Sequence, residues 1–219
     1  RLFHLRHTSV TRVDVSSSGV RLVVCIGAAG HINHAHVTWN NISGADMSAW
    51  KGGGPERRKF SGRMVVLVRQ ASAEPDRSVR QNPAVAEHIK GLSDYMVSGH
   101  MTVTCTSGAQ MTGNQIAKQF RTAPQVFPDS ISEHPEAAFL QFFTPPTGHS
   151  RDTVVMVAED KPILYWLLRA LHMSPEEAMA ATGSYCIGHA SVTLVNVRSD
   201  GTMKVVTVGD TGHLPLDSS

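Results

Sequence analysis

The stretch Thr153-Val154-Val155-Met156-Val157-Ala158-Glu159-Asp160-Lys161-Pro162 contains the transition that decides the fold. All but one of its first six residues are apolar, as in a strand that is buried on both faces. Asp160 is then a candidate N-cap, and the early Pro162 suits the start of a helix, which we expect to run to His172. A buried strand followed at once by a helix is typical of α/β proteins with a parallel sheet.

The alternation of strand and helix continues on both sides of this stretch. Towards the N-terminus the pattern predicts strands over residues 64–69 and 101–105 and helices over residues 83–97 and 110–120. Towards the C-terminus, Ser174-Pro175-Glu176-Glu177 is a capping box that starts one more helix, and a hairpin with strands 190–197 and 203–208 turns at Ser199-Asp200-Gly201. The sequence therefore predicts an α/β fold, a three-layer α/β/α sandwich with a mostly parallel sheet.

Composition excludes several classes of protein. The chain has 219 residues, of which 41% are hydrophobic and 17% charged, and these fractions indicate a globular protein. A net charge of +2 gives no support for nucleic-acid binding, and no apolar run approaches the roughly 18 residues of a transmembrane segment. Cys25, Cys105 and Cys186 lie far apart, which predicts neither a disulfide framework nor a thiolate zinc site.

The chain is predicted to divide into an N-terminal extension, residues 1–59, and a domain, residues 60–219. Alternating apolar residues predict a strand over 11–15, and an apolar run predicts a second strand over 20–26. Residues 51–59 are rich in glycine and then charged, which is typical of a linker. The extension is therefore expected to be rich in β-structure and joined to the domain by a linker.

The extension also carries Trp39 and Trp50. Tryptophan is enriched at interaction hot spots, so we expect the extension to bind protein partners in a multi-subunit assembly. The alternative is an additional hairpin that packs on the edge of the domain's own sheet. Because the chain begins with Arg1, we expect any targeting segment to have preceded it.

The tail Gly209-Asp210-Thr211-Gly212-His213-Leu214-Pro215, after a hairpin opened by Ala190-Ser191-Val192-Thr193, resembles the phosphoglycerate-mutase-like histidine phosphatases. It is most similar to their mitochondrial serine/threonine phosphatase branch, as is the segment Tyr165-Trp166-Leu167-Leu168-Arg169-Ala170-Leu171. The resemblance extends from about Gly62 to Pro215. It implies a pocket with an Arg-His motif that supplies the nucleophile, a second Arg, a second His and a Glu that serves as the general acid.

This chain departs from that pattern at most of the pocket positions. Arg69 matches the arginine of the motif, but Gln70 stands in the place of the nucleophilic histidine. The second arginine falls on Ala109 and the second histidine on Glu159, whereas Glu133 matches the general acid. The resemblance thus implies a degenerate pocket without catalytic residues, in which we expect Arg69 and Glu159 to form an ion pair.

The function implied by the resemblance is that of a pseudoenzyme without a cofactor. Such a chain is expected to be a structural or accessory subunit of a mitochondrial assembly, for example the ribosome or the ATP synthase. The alternative is a residual or altered phosphatase, or a protein that binds a phosphorylated ligand. The mitochondrial location comes from the family analogy alone.

Two further patterns suggest other sites. Leu2-Phe3-His4-Leu5-Arg6-His7 also resembles the nucleophile strand, although the strand-helix-strand succession does not follow it. His31, His34 and His36 have a spacing that could hold a metal ion, with Asp46 as a possible fourth ligand. Loop histidines that face water or a partner are the simpler interpretation, and no metal site is predicted.

Overall fold

The computed structural model describes residues 10–15, 21–28, 62–95, 100–128, 131, 133–145 and 151–214. The strands of this part are β1 (Val10–Val15), β2 (Arg21–Ala28), β3 (Gly62–Arg69), β4 (His100–Cys105), β5 (Gln125–Val126), β6 (Arg151–Ala158), β7 (Val192–Arg198) and β8 (Met203–Asp210). Its α-helices are α1 (Pro75–Tyr95), α2 (Gln110–Gln119), α3 (Glu136–Phe142), α4 (Asp160–Ala170) and α5 (Pro175–Ala181).

The strands form one sheet in the order β1-β2-β8-β7-β3-β6-β4-β5. The four strands β3, β6, β4 and β5 are parallel to one another. From β7 to β1 every neighbouring pair is antiparallel, which gives the sheet a parallel half and an antiparallel half. The predicted α/β fold is confirmed.

Helices cover both faces of the sheet because its central strands are apolar on both faces. Alternate residues of β3 and β6 pack against α1 and α2 on one face: Val66, Val68, Val155 and Val157 meet Val85, Ile89 and Ile116. Their neighbours pack against α3, α4 and α5 on the other face: Val65, Leu67, Val154 and Met156 meet Phe139, Ile163, Trp166 and Ala178. The two apolar clusters and the sheet between them are the three predicted layers.

The first helix of the domain differs from the prediction at its start. It begins at Pro75, eight residues earlier than the predicted start at Pro83. Proline suits the first helical turn, where its missing N–H has no partner in any case, and the N–H groups of Arg77 and Ser78 donate to Glu74 O. Pro83 is exposed and lies inside the helix. The first of the two prolines, Pro75, therefore marks the helix start, and the prediction of a start at Pro83 is wrong.

Helix α4 begins one residue earlier than expected, so the capping position moves. Glu159 is the N-cap residue and makes no side-chain cap, while Asp160 is already helical and its Oδ1 accepts from Lys161 N at 2.9 Å. The capping box of α5 is confirmed by reciprocal bonds between Ser174 and Glu177. The C-terminal hairpin is also confirmed, and Gly201 in its turn has a φ of +82°, which favours glycine.

The two predicted N-terminal strands are present as β1 and β2, and β2 joins the sheet beside β8 through the pair Ile26 and Val208. This pairing agrees with the alternative prediction, a hairpin on the sheet edge. Trp39 and Trp50 lie outside the described residues, and the boundary after residue 59 stays a prediction. Among the helices that the structure describes, none is long and apolar enough to cross a membrane.

Candidate functional site

The carboxyl ends of the parallel strands β3, β4 and β6 lie side by side. Ligands of open α/β sheets generally bind at the carboxyl ends of the strands. Two backbone bonds hold these ends together beyond the strands themselves. Gln70 N, after β3, donates to Ala158 O at 2.9 Å, and Thr106 N, after β4, donates to Val157 O at 3.0 Å. The topology therefore brings together the residues that follow β3, β4 and β6.

Side chains from α1 and α2 fix the loop that follows β3. Ala71 N donates to Thr112 Oγ1 at 3.1 Å, and the same hydroxyl donates to Asn82 Oδ1 at 2.7 Å. Ser72 N donates to Gln81 Oε1 at 2.8 Å. Because these side chains are buried, the loop is rigidly supported, and its N–H groups at residues 71 and 72 already have protein partners.

Arg69 directs its guanidinium towards the loop before β7. Nη1 donates to Ile187 O, and Nη2 lies 3.4 Å from His189 Nε2 and 3.7 Å from Asp160 Oδ2. Nε is buried and has no hydrogen-bond partner. The expected ion pair of Arg69 therefore forms with Asp160, and the prediction that named Glu159 is corrected.

Glu159 is held by the loop after β4 instead. Its Oε2 accepts from Thr106 Oγ1 at 2.8 Å. A Cβ at Gly108 would collide with Glu159 Oε1 and lie 3.9 Å from Gln70 Oε1, so the carboxylate fills the space above the glycine, near the amide of Gln70. The backbone of the N-cap residue Glu159 is extended whereas that of Asp160 is helical, so the two carboxylates point in different directions: Glu159 contacts the loop after β4 and Asp160 approaches Arg69.

The polar side chains around Arg69 at the strand ends form what we call the Arg69 cluster. Two of the predicted pocket positions contribute little to it. Ala109 is buried at the end of a 3₁₀ turn, Ser107–Ala109, and belongs to the apolar cluster on the α1 and α2 side. Glu133 is exposed, and within the described residues no hydrogen bond or ion pair joins it to Arg69 or Gln70. The structure thus brings together Arg69, Gln70 and Glu159 of the predicted set.

His189 is a member of the cluster that sequence reasoning missed. Its Nδ1 lies 3.3 Å from Gln70 O and its Nε2 3.4 Å from Arg69 Nη2, which fits an Nδ1–H that donates to the carbonyl and an Nε2 that accepts from the arginine. Burial, and then the Arg69 cation, lower the pKa of His189 below its ordinary value, which favours the neutral imidazole. One signal could have found it. A residue just before a strand that runs antiparallel to β3, as His189 is before β7, lies beside the carboxyl end of β3.

The remaining predicted sites lie elsewhere. His7, His31, His34, His36 and Asp46 are outside the residues that the structure describes. Within the described residues, no group of three or more His, Cys, Asp or Glu side chains is arranged to hold a metal ion.

Solved structures with a similar fold exist, although no protein-family model and no curated protein matches the chain. A phosphoglycerate mutase from Plasmodium falciparum is 23% identical, with a TM-score of 0.54 over 71% of this chain and 96% of the other. A phosphoserine phosphatase from Entamoeba histolytica is 15% identical, with a TM-score of 0.48 over 70% of this chain and all of the other. The first likeness shows that this chain has the phosphoglycerate-mutase-like fold.

Proposed function

We propose that this chain is a catalytically inactive member of the histidine phosphatase group and acts as a structural or accessory subunit of a larger mitochondrial assembly. The ribosome and the ATP synthase are the candidates. The proposal is carried by one observation at the end of β3. Gln70 follows Arg69 there, and the guanidinium of Arg69 already contacts Ile187, His189 and Asp160. The mitochondrial location is supported by the resemblance of residues 209–215 to the mitochondrial branch.

The first argument concerns the nucleophile. The resemblance places Gln70 where the family has its histidine. The lone pair of an amide nitrogen is delocalised, so glutamine cannot form a phosphoenzyme intermediate. The backbone of Gln70 also holds the neighbouring loop, because its carbonyl accepts from Ala190 N at 3.2 Å. This backbone contact is structural and does not depend on the side chain at position 70.

The second argument concerns the binding of phosphate. Glu159 and Asp160 bring two carboxylates to the strand ends. A carboxylate about 4 Å from a phosphate oxygen costs on the order of 4 kcal/mol per charge pair at an effective dielectric of 20. The absence of a guanidinium at Ala109 forfeits a charge-assisted hydrogen bond of roughly 1.5–3 kcal/mol. These effects together weaken phosphate affinity by several powers of ten.

The alternative, an altered phosphatase, is favoured by one observation, the neutral imidazole of His189 beside Arg69. An imidazole whose Nδ1–H is held by a carbonyl presents a lone pair at Nε2, as a nucleophile requires. In the structure that lone pair faces Arg69, so attack on phosphorus requires the arginine to move from the imidazole to the phosphoryl group.

A phosphatase assay separates the two functions. The full chain, Gln70→His and His189→Asn are assayed with p-nitrophenyl phosphate and phosphopeptides, and each protein is tested for acid-labile phosphohistidine. We expect no turnover by the full chain and little gain in Gln70→His, because Ala109 and Glu159 are unchanged. Turnover that His189→Asn abolishes would contradict the inactive role and support the altered phosphatase.

The subunit role is tested in mitochondria with the full chain. Native electrophoresis is expected to show it in one discrete complex of constant stoichiometry. The variant Trp39→Ala/Trp50→Ala, which leaves the predicted hairpin residues unchanged, is expected to lose this incorporation while it retains the melting temperature of the wild type. A chain that migrates alone in native extracts contradicts the proposal.

A further inference from the structure

The two edges of the sheet differ in their capacity to accept another strand. At one edge, β5 has only two residues and is flanked by Pro124 and Pro128, which lack N–H groups. At the other edge, β1 has six residues and no proline, and it pairs with β2 on one side. Within the described residues, no strand pairs with its other side. Such an edge presents a row of backbone donors and acceptors to another strand.

The pairing of β1 with β2 is irregular, and the irregularities lie on β2. The partner of Val13 is Val23 and the partner of Arg12 is Cys25, so one additional residue lies on β2 between these pairs. Between Arg12 and Val10 the additional residue again lies on β2. Because a bulge bends mainly the strand that carries the additional residue, β1 keeps the two-residue repeat that strand addition requires.

We propose that a second copy of this chain pairs with β1 in antiparallel orientation, with the two-fold axis at Val13. The backbone groups that face a partner alternate along a strand, so the axis of a symmetric pair must pass through a pair of identical residues. Only the axes at Arg12 and Val13 let five of the six residues of β1 pair with residues of the other β1.

The charges of the strand decide between these two registers. An axis at Arg12 places Arg12 opposite Arg12 of the second copy. An axis at Val13 places Arg12 opposite Asp14 of the second copy, and by symmetry this pair occurs twice. Opposite charges on directly opposed residues stabilise an antiparallel pair, whereas like charges destabilise it. In the favoured register Val13 also lies opposite Val13, and Thr11 lies opposite Val15.

Charge reversal provides the main test. The full chain is studied by sedimentation velocity over a range of concentrations at low salt. Wild type is expected to show a concentration-dependent dimer, and Arg12→Asp or Asp14→Arg should each weaken it about tenfold, because each creates two like-charge pairs. The double variant Arg12→Asp/Asp14→Arg is expected to regain the wild-type dimer. An equimolar mixture of the two single variants should form a heterodimer, because both pairs then have opposite charges.

The outcomes are distinct. A wild type that stays monomeric overturns the proposal, and would indicate that another segment of the chain or another protein covers the edge. Single variants that dimerise as well as wild type also overturn it, because another surface then forms the dimer. A double variant that stays as weak as the single variants excludes this register. The melting temperature of every variant is measured, so that loss of dimer is not confused with loss of fold.

Disulfide trapping tests the register independently, in a Cys186→Ser background. Directly opposite residues have Cα atoms about 4.5–5.5 Å apart, a separation that a disulfide can bridge. Val13→Cys is therefore expected to form a covalent dimer on oxidation. Val15→Cys is the matched control, because its two copies would lie four residues apart, about 14 Å, and should not link. The Cys186→Ser parent controls for linkage through Cys25, and equal linkage of residues 13 and 15 contradicts the register.

Discussion

Arg169 and Arg69 are both largely buried, with 17% and 15% of their side chains exposed, yet their surroundings differ. Arg169 makes a bidentate pair with Glu136, with Nε at 3.0 Å from one oxygen and Nη2 at 2.9 Å from the other. Its guanidinium also lies over the ring of Phe139, 4.8 Å from the centroid. Arg69 has one carboxylate atom at 3.7 Å, an imidazole at 3.4 Å and an Nε without a partner.

The first arrangement connects the helices on one face of the sheet. Tyr165 OH donates to the same Glu136 carboxylate at 2.6 Å; burial and this hydrogen bond raise the pKa of Tyr165 to about 12. Burial opposes the charge on Glu136, but the hydrogen bonds from Arg169 and Tyr165 outweigh it and lower the pKa of this carboxyl. Complete pairing of this kind stabilises a fold, whereas the contacts of Arg69 are longer and leave its Nε without a hydrogen-bond partner.

The largest effect is expected when Glu136 is removed. Glu136→Ala leaves the guanidinium of Arg169 and the hydroxyl of Tyr165 without their partner, and we expect it to lower the free energy of unfolding by about 3 kcal/mol. Urea denaturation measures the loss. Glu133→Ala is the control, because Glu133 is exposed and its truncation should cost less than about 0.5 kcal/mol. Equal losses in the two variants would remove the distinction between the two arginines.

A matched pair of lysine substitutions sharpens the comparison. Lysine keeps the charge but cannot make a bidentate pair with a carboxylate. Arg169→Lys is therefore expected to cost about 1.5 kcal/mol, roughly one charge-assisted hydrogen bond. Arg69→Lys should cost less than about 1 kcal/mol, because its pair with the half-exposed Asp160 is long and monodentate. Thermal or urea unfolding ranks the two variants, and the reverse order would show that Arg69 is the stronger structural contact.

The fold was largely predictable because each strand and helix start is indicated by residues that are close together in the sequence. The strands over residues 64–69 and 153–158 are continuous apolar runs, and the capping box at Ser174 marks a helix start by side chains within one turn. Pro83 shows the limit of such signals. A proline is compatible with a helix start, but an exposed proline inside a long, well-packed helix is also tolerated, and local sequence does not distinguish the two.

The site was less predictable because its contacts join distant segments. The choice of Asp160 over Glu159 as the partner of Arg69 depends on a shift of one residue in a helix start, which changes the direction of both side chains. His189 is 120 residues from Arg69 in sequence, and they meet because β7 runs antiparallel to β3. Neither fact follows from composition, periodicity or spacing.

The smallest expected effect is a pH dependence of stability that belongs to His189. Because its pKa is lowered in the folded protein, the unfolded chain binds more protons below pH 6.5, the ordinary pKa of histidine. The free energy of unfolding then rises with pH through this window, and the contribution of His189 is complete above pH 6.5 and is lost as the pH falls through the folded pKa. The lowered pKa of Glu136 acts in the same direction but only below about pH 4.5, so Glu136 contributes little between pH 7 and pH 5, where the difference between wild type and a His189 variant reports this imidazole.

His189→Asn removes the titrating group, so the free energy of unfolding of this variant, followed by urea denaturation from pH 7 to pH 5, should fall less steeply than that of wild type. His172→Asn is the matched control. His172 is exposed, with a φ of +69° that asparagine tolerates, and its replacement should leave the wild-type slope unchanged. Parallel curves for wild type and His189→Asn would mean that the imidazole titrates alike in both states. The contact between Nε2 and Arg69 would then not change the titration of His189 on folding.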